Sequence, residues 1–392
     1  MGGSILALLS LRHHARVLAF AARVQYRFSG KKFWRRRDQF TWPWTWPWTV
    51  AGQSFQFTLS VLQTSTSLRI LHLVYAELKP SHQLVILSIP NLKSLILEHS
   101  HVVPTAIDMP LSAITSLTLL YCCQHGSIEH TIRLLRNTLE ILEVRFTSMN
   151  IPLILETVQP PHLTCVAIRN INIDTSGFTK FTPCASGTIT KLCITIRSSP
   201  YPLGLSDHVF PQLRELSSSW WIAIQLVPRR PVKVFYDVGV DELKLDELET
   251  NLALLSRSTR GIKELRLYTW LSIDRVLQLL AAHVPRLQRL HLWTTRDRSF
   301  WMELRASQQM PIERNLNALT EIHVTFMCCS KAMNDFNHWQ SVFPALSLQV
   351  FPALEVVQLS SGVTISEEPC NIPSVWKRKL HRIRTGEWEE CI

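Results

Sequence analysis

Residues 68–73 read LRILHL, a hexad that decides the fold because its spacing recurs along the chain. The pattern is an apolar residue, two others, an apolar residue, one other and a final apolar residue. It returns as LKSLIL at residues 92–97, ITSLTL at 114–119 and LEILEV at 139–144. The twelve copies begin at Leu68, Leu92, Ile114, Leu139, Leu163, Ile189, Leu213, Val240, Ile262, Leu287, Leu319 and Leu354. The first nine steps between them span only 22 to 27 residues, which indicates an internal structural repeat.

The spacing inside each hexad predicts a short β-strand. Side chains of a strand alternate between its two faces, so the second and third apolar residues point inward and the residues around them point outward. One unit cannot bury its own apolar edge, and neighbouring units therefore stack and share a core. This is the leucine-rich-repeat pattern of a strand followed by a return segment. The predicted fold is α/β: an irregular, curved leucine-rich-repeat solenoid of about 11–12 units over residues 60–362.

The segments between hexads predict helices in several units. Residues 272–287, SIDRVLQLLAAHVPRL, combine helical spacing of apolar residues with Ser272 as the N-cap and a stop at Pro285. Residues 127–142 and 246–258 show similar spacing. The last two steps between hexads are longer, 32 and 35 residues, and predict loops inserted at 296–316 and 328–351.

Two features of the repeat are irregular. The hexad VDELKL at residues 240–245 has a competitor, because VKVFYDV at 232–238 could supply that unit's strand and leave Val240 to open the helix. In addition, the usual repeat places Asn or Cys three residues after the third apolar position, where the side chain satisfies buried backbone groups. In the first six units this position holds Ala76, Ser100, Cys122, Thr147, Ile171 and Arg197.

Charge separates the N-terminus from the rest of the chain. Residues 1–37 contain seven Arg, two Lys and no acidic residue, whereas the remainder carries 32 basic and 30 acidic residues out of totals of 41 and 30. A nearly balanced body does not favour a nucleic-acid partner. Four segments follow: a basic, helical or disordered segment at 1–41, a Trp/Pro-rich connector and N-terminal cap at 42–59, the solenoid at 60–362, and a C-terminal tail or cap at 363–392.

The basic segment has two interpretations. Four arginines lie on one face of a helix: Arg12, Arg16, Arg23 and Arg27. An Arg-rich, acid-free amphipathic helix is typical of a mitochondrial transit peptide. The alternatives are a basic surface helix without a targeting role and an incorrect gene start. The sequence WPWTWPWT at residues 42–49 cannot continue a helix, because Pro43 and Pro47 lack the N–H group.

The remaining composition indicates an intracellular protein. Nine cysteines without a CxxC motif fit reduced thiols better than a disulfide framework, and no apolar run reaches the roughly 18–20 residues that span a bilayer. The predicted location is cytoplasmic or nuclear, with mitochondria as the alternative. The tail VWKRKLHRIRTGEWEECI, residues 375–392, is interpreted as a short capping helix.

The hexads resemble those of fungal, basidiomycete-type F-box/leucine-rich-repeat-like proteins. The lead-ins FPQLREL at residues 210–216 and FPALEVVQL at 351–359, and the segment LALLSRS at 252–258, share this style. The resemblance implies substrate recognition by the solenoid of an SCF-type ubiquitin ligase, with an F-box that docks on the Skp1 adaptor. No Leu-Pro pair, the usual opening of an F-box, precedes residue 60, and FWRRRDQF at 33–40 is the nearest trace of one. The resemblance therefore also fits a truncated relative without an F-box.

No motif of catalysis, cofactor binding or metal binding is expected to act here. The sequence contains no GxSxG, GxGxxG, HExxH or phosphate-binding GxxxxGK[ST] motif. CCQHGSIEH at residues 122–130 gathers cysteines and histidines, but Cys122 falls on the small-residue position of the repeat, so a structural role is favoured over zinc. EHSH at 98–101 follows a strand and is interpreted as a solvated turn. The chain is predicted to be a non-enzymatic, monomeric protein-interaction module; a mitochondrial leucine-rich-repeat protein with an unknown partner is the alternative.

The outward residues of the late hexads form the candidate binding site for a protein partner. Arg, Trp and Tyr, which are enriched at binding hot spots, are concentrated there, and adjacent strands lie about 5 Å apart. The predicted partner-binding residues on the concave face are Glu264, Arg266, Tyr268, Arg289, His291, Trp293, Glu321 and His323.

Overall fold

A computed structural model gives the conformation of most of the repeat region. It describes residues 68–74, 76–105, 112–122, 125–145, 151–171, 186–196, 205–206, 208–238, 243–271, 273–294, 316–326, 351–362, 374–382 and 388–391. The predicted N-terminal segment and Trp/Pro-rich connector lie outside these residues, and so do the two predicted inserted loops except for their ends, Leu316 and Phe351. The chain divides into two compact units, residues 1–173 and 174–392.

The first unit contains a five-stranded parallel sheet and a small second sheet. The large sheet has the order β1, β3, β5, β6, β7, and the small one pairs β2 with β4. Helices α1, α2 and α3 follow β2, β5 and β6 in the chain. The strands are β1 Ile70–Val74, β2 Glu77–Leu78, β3 Ser94–Glu98, β4 His101–Val102, β5 Ser116–Leu120, β6 Ile141–Arg145 and β7 Cys165–Ile171. The helices are α1 Pro80–Leu87, α2 His125–Leu134 and α3 Ile151–Val158.

The second unit contains seven parallel strands followed by two antiparallel strands. Their order follows the chain from β8 to β16. The parallel strands are β8 Lys191–Ile196, β9 Glu215–Ser218, β10 Val234–Asp237, β11 Glu264–Tyr268, β12 Arg289–Thr294, β13 Glu321–Phe326 and β14 Val356–Gly362. The antiparallel strands are β15 Ser374–Arg382 and β16 Trp388–Cys391. The helices are α4 Trp220–Leu226, α5 Leu245–Leu255 and α6 Ile273–His283.

The apolar positions of the hexads build the core of each unit. In the first sheet the second apolar residues pair in register from strand to strand and are at most 4% exposed: Leu71, Leu95, Leu117, Leu142 and Val166. The third apolar residues form a second buried row, two residues further along each strand, which begins with Leu73 and Leu97. The described residues contain twelve parallel strands outside the small sheet, two more within it and six helices, and the prediction of an α/β fold is confirmed.

At two of the small-residue positions after the third apolar residue, Ser100 and Cys122, the side chain contacts buried backbone groups of the first unit. The hydroxyl of Ser100 accepts the N–H of Ala76 at 3.0 Å and lies within 3.3 Å of the carbonyl of Leu73 in the neighbouring repeat. The thiol of Cys122 approaches the carbonyl of Leu97 at 3.5 Å. Both side chains are buried, which explains why a short polar group is used where a larger one would not fit. Thr147 lies outside the described residues.

The competing strand near residue 240 is the one that forms. Phe235 of β10 pairs in register with Leu216 of β9 and with Leu265 of β11. The hexad that starts at Val240 is therefore wrong as a strand, and α5 begins where that hexad ends. The pattern was hidden because Asp237, only 2% exposed, occupies the third apolar position. This carboxylate is tolerated there because the indole N–H of Trp220 donates to it at 2.9 Å.

The helix predicted for the C-terminal tail is also wrong, because residues 374–382 form strand β15. Val356 and Ser361 of β14 pair with His381 and Trp376 in antiparallel register. A free sheet edge exposes backbone N–H and C=O groups that a helix cannot satisfy but an added strand can. By contrast, α6 ends two residues before Pro285, as predicted. Its proposed N-cap, Ser272, lies outside the described residues.

Helix length sets a limit on membrane insertion. The longest helices of the described residues, α5 and α6, have 11 residues each. Within that part of the chain, no helix combines the length and the apolar character needed to cross a bilayer.

Candidate interaction surface

Strands β11, β12 and β13 bring the eight predicted site residues into three rows on one face of their sheet. The first row holds Glu264, Arg289 and Glu321, the second Arg266, His291 and His323, and the third Tyr268 and Trp293. The residues that alternate with them, such as Leu265 and Leu267, are completely buried on the opposite face. Sequence periodicity thus placed these side chains correctly, because a strand with a buried leucine face has only one other face. Their role in binding a partner stays a prediction.

Sequence reasoning missed one member of this surface, Tyr236. It lies on β10 and pairs in register with Arg266, so it extends the second row by one strand. The signal was present in the segment VKVFYDV, residues 232–238, but the hexad count had placed the strand after it. We call the nine residues the β10–β13 face: Tyr236, Glu264, Arg266, Tyr268, Arg289, His291, Trp293, Glu321 and His323.

Two of the predicted contact residues are buried and cannot serve as exposed hot spots in this conformation. Glu264 is 5% exposed and Trp293 is 8% exposed. The alternation of side chains places both residues on the outward face but does not give their exposure. Long neighbouring side chains cover them: Arg289 pairs with Glu264, and Arg266 lies over the ring of Trp293.

Glu264 is the centre of the polar contacts on the β10–β13 face. Its carboxylate accepts a hydrogen bond from the hydroxyl of Tyr236 on β10 and forms an ion pair with Arg289 on β12. Nε2 of His291 lies 3.6 Å from the same carboxylate. Burial, followed by the hydrogen bond to Glu264, raises the pKa of the Tyr236 hydroxyl above its ordinary value. One buried carboxylate therefore ties three strands together through charge-assisted contacts.

Arg266 is held between two aromatic rings. Its guanidinium carbon lies 4.5 Å from the ring centre of Tyr236 and 5.1 Å from that of Trp293. Both distances are in the range of cation–π attraction. The side chain is half-buried, and its Nε is buried without a hydrogen-bond partner. A second aromatic contact lies beside this group, where the rings of Tyr268 and Trp270 meet edge to face at 5.7 Å.

Two histidines lie next to each other in the second row. The ring centres of His291 and His323 are 4.3 Å apart and their planes are tilted by 44°. Burial lowers the pKa of His291 to about 3, and the nearby charges of His323, Arg266 and Arg289 act in the same direction. The Glu264 carboxylate, 3.6 Å from Nε2 of His291, does not outweigh these effects. His291 is therefore neutral at physiological pH.

The neutral state of His291 predicts a pH dependence of stability. In the unfolded chain, His291 takes up a proton as the pH falls below its ordinary pKa of 6.5. In the folded chain, it does so only near pH 3. The contribution of His291 to stability is thus complete above pH 6.5 and is lost as the pH falls towards 3. Between pH 6.5 and about pH 4.5, the free energy of unfolding of His291→Gln should therefore fall by about 2 kcal/mol less than that of the unaltered protein.

Urea denaturation at a series of pH values measures this effect as the difference between His291→Gln and the unaltered protein. The groups that face His291, namely Glu264, Arg266, Arg289 and His323, are the same in both proteins. The matched control is His208→Gln, because His208 is exposed in the same unit. Parallel curves for His291→Gln and the unaltered protein would contradict the prediction.

Two members of the cysteine–histidine cluster at residues 122–130 have structural contacts. Cys122 is buried in the repeat position described above, and Nε2 of His130 lies 3.1 Å from the side-chain oxygen of Gln83. The side chains of Cys123 and His125 lie outside the described part. Among the side chains that the structure does describe, no group of three potential metal ligands is found.

The segment EHSH is only partly a solvated turn. Glu98 ends β3 and lies 3.0 Å from Nε2 of His72 on β1, while Ser100 is buried. His99 is exposed and stacks on Tyr121, with ring centres 4.5 Å apart. His99 and Tyr121 each follow the last residue of a strand, and their φ angles are positive, 48° and 55°.

Comparison with known proteins gives no assignment. No protein-family model matches the chain. No curated protein matches it either. Function is therefore inferred from the geometry of the β10–β13 face.

Proposed function

We propose that this chain is a non-enzymatic leucine-rich-repeat solenoid that binds a protein partner on the β10–β13 face. The observation that carries the proposal is the register of these strands, which aligns arginine, histidine, tyrosine and glutamate side chains in rows on one face. The opposite face of the same strands is buried and consists mainly of leucines. Such rows place polar and aromatic groups about 5 Å apart, at the spacing of neighbouring strands.

The contacts within the face favour binding over a purely structural role. Arg289 is half-exposed although it pairs with the buried Glu264, and Tyr268 and Glu321 are also accessible. Side chains that are already fixed by neighbours lose little conformational freedom when a partner arrives, which favours affinity. Tyrosine and arginine are also the residue types that contribute most to protein interfaces.

Site-specific photo-crosslinking tests this proposal. A photoreactive phenylalanine analogue replaces Tyr268 or Glu321 in the tagged full-length chain, and a third variant carries it at Glu249, which is exposed on α5. We expect a discrete crosslinked partner from the positions on β11 and β13 and none from the helix. Equal adducts from all three positions, or none from the face, would count against the proposal.

The resemblance to F-box/leucine-rich-repeat-like proteins gives the partner a role: it would be a ubiquitin-ligase substrate, and Skp1 would accompany the chain. The same tagged chain tests this, because Skp1 should co-purify with it and ubiquitin-modified forms of the crosslinked partner should accumulate when the proteasome is inhibited. A preparation without Skp1 would leave a binding module outside the ligase. The basic segment at residues 1–37 favours a mitochondrial location as the second candidate, which imaging of the C-terminally tagged chain distinguishes.

A further inference from the structure

The guanidinium of Arg266 is the one positive charge on the β10–β13 face that has no hydrogen-bond acceptor among the described residues. Its contacts are with the rings of Tyr236 and Trp293. Nε is buried and makes no hydrogen bond. The two terminal nitrogens of the guanidinium also make no hydrogen bond among the described residues, but they are not buried. They are therefore accessible at the surface. Arg266 thus presents the terminal N–H groups of its guanidinium to solvent, while the rings of Tyr236 and Trp293 contact the guanidinium.

Neither of the two glutamates on this face pairs with Arg266. Glu264 accepts the Tyr236 hydroxyl and pairs with Arg289. Glu321 lies on β13, two strands from Arg266, with Nε2 of His323 at 3.4 Å from its carboxylate. A partly desolvated guanidinium without an acceptor is unfavourable, because its N–H donors have given up water without a replacement. The aromatic rings offset this cost by attracting the charge, but they accept no in-plane hydrogen bond.

The charge of the surroundings selects the acceptor. Two arginines and two glutamates on this face, Arg266, Arg289, Glu264 and Glu321, sum to zero. A single negative charge that pairs with Arg266 brings this sum to about −1, whereas a dianionic phosphate would bring it to about −2 beside Glu264 and Glu321, so the smaller charge is favoured. The planar fork of a guanidinium also fits the two oxygens of a carboxylate.

We propose that Arg266 is the anchor for an aspartate or glutamate side chain in a peptide segment of the partner protein. The carboxylate accepts two parallel hydrogen bonds from the guanidinium, while the rings of Tyr236 and Trp293 keep the guanidinium in place. Tyr268, which lies two residues along the same strand, then offers an aromatic surface to the residues beside that carboxylate. The inference rests on the proposed function and adds the chemistry that the β10–β13 face recognises.

Peptide pools of defined central residue test the anchor. Short random peptides carry glutamate at the central position in one pool, glutamine in a second and phosphoserine in a third, and each pool is passed over the immobilised full-length protein. We expect the glutamate pool to be retained about tenfold to a hundredfold better than the glutamine pool, the ratio expected for charge-assisted hydrogen bonds. Preferential retention of the phosphoserine pool, equal retention of all pools or retention of none would overturn the anchor.

Substitutions at Arg266 separate the fork from the charge. Arg266→Met should abolish the preference for glutamate, and Arg266→Lys should reduce it about tenfold, since lysine keeps the charge but loses the planar fork. The matched control is Arg275→Met, an exposed arginine on α6, which should leave the preference unchanged. Circular dichroism checks that each variant is folded; if Arg266→Met does not fold, the lysine variant carries the test. An unchanged preference in folded Arg266→Lys would overturn the anchor.

The two proposals fail in different ways. Specific crosslinks from Tyr268 and Glu321 together with no glutamate preference would leave the binding face intact and remove the anchor. Absence of these crosslinks and of any retained pool would remove both proposals.

Discussion

Replacing Arg230 with methionine is expected to lower the free energy of unfolding by about 3–5 kcal/mol, the largest effect we predict for a single substitution. Arg230 is 2% exposed, the largest side chain among those that are almost fully buried in the described residues. It lies four residues after the end of α4. Its position explains how a charge is accommodated inside the fold.

The guanidinium of Arg230 closes the C-terminal end of α4. It donates to the carbonyls of Leu226 at 3.0 Å, and also approaches those of Gln225 and Pro228. These groups have no partner within a helix end, and a positive charge there also interacts favourably with the helix dipole. The same side chain donates to the backbone carbonyl of Val209 at 2.7 Å and to that of Ser206 at 3.0 Å. Both residues precede β9 in the chain. Arg230 therefore connects two successive repeats through backbone carbonyls.

Methionine has similar length but no donor, so Arg230→Met leaves several buried carbonyls unsatisfied. Chemical denaturation monitored by circular dichroism measures the loss. Arg230→Lys should give a smaller loss than Arg230→Met, because the ammonium still donates to some of the carbonyls. Arg229→Met is the matched control, since Arg229 is exposed and should change stability by less than about 0.5 kcal/mol. Equal stability of the Arg229 and Arg230 variants would show that the buried contacts contribute little.

The second large effect is expected at Glu264, where Glu264→Gln should lower the free energy of unfolding by about 2–3 kcal/mol. Glutamine keeps the size of the side chain but removes the charge that pairs with Arg289 and weakens the acceptor for Tyr236. Glu264 is buried, so water screens these contacts poorly. Half-exposed Arg289 can return to solvent, which keeps the loss moderate.

A spectroscopic measurement separates this network from general destabilisation. Because the hydrogen bond and charge of Glu264 help to raise the pKa of Tyr236, that pKa should fall in folded Glu264→Gln, as followed by tyrosinate absorbance. For the free energy of unfolding, Glu215→Gln is the matched control: Glu215 occupies the corresponding position on β9 and pairs with Lys191 at 2.9 Å, but both side chains are largely exposed. It should cost less than about 1 kcal/mol. An unchanged Tyr236 titration in Glu264→Gln would refute the role of this carboxylate.

The sequence predicted the strands wherever an apolar pattern specified them. The rows that begin at Leu71 and Leu73 follow from spacing alone, because a buried face of a strand requires an apolar residue at every second position. Asp237 broke this rule, since its burial depends on a hydrogen bond from Trp220, a residue 17 positions earlier in the chain. No local pattern indicates such a partner, so the sequence left two candidate strands open, at residues 232–238 and 240–245.

The candidate site shows the same division. Periodicity placed Arg266, His291 and His323 on one face, and β11 to β13 bring them into one row. Their environments did not follow from periodicity, since the burial of Glu264 and Trp293 depends on side chains contributed by neighbouring strands. Exposure is a property of the packed neighbours and not of the strand on which a residue lies.

By itself the sequence determined the α/β class, the position of the leucine rows and the face on which the polar residues stand, because these depend only on the alternation of side chains along each strand. Only the tertiary structure decided which of those polar residues are buried, which acceptor each one meets and how the chain ends. The sheet edge at β14 takes up β15 as an added strand, and Arg230 reaches carbonyls in two repeats. Hydrogen bonds of this kind join residues far apart in the chain, and their strength depends on distance and burial, which only the folded chain supplies.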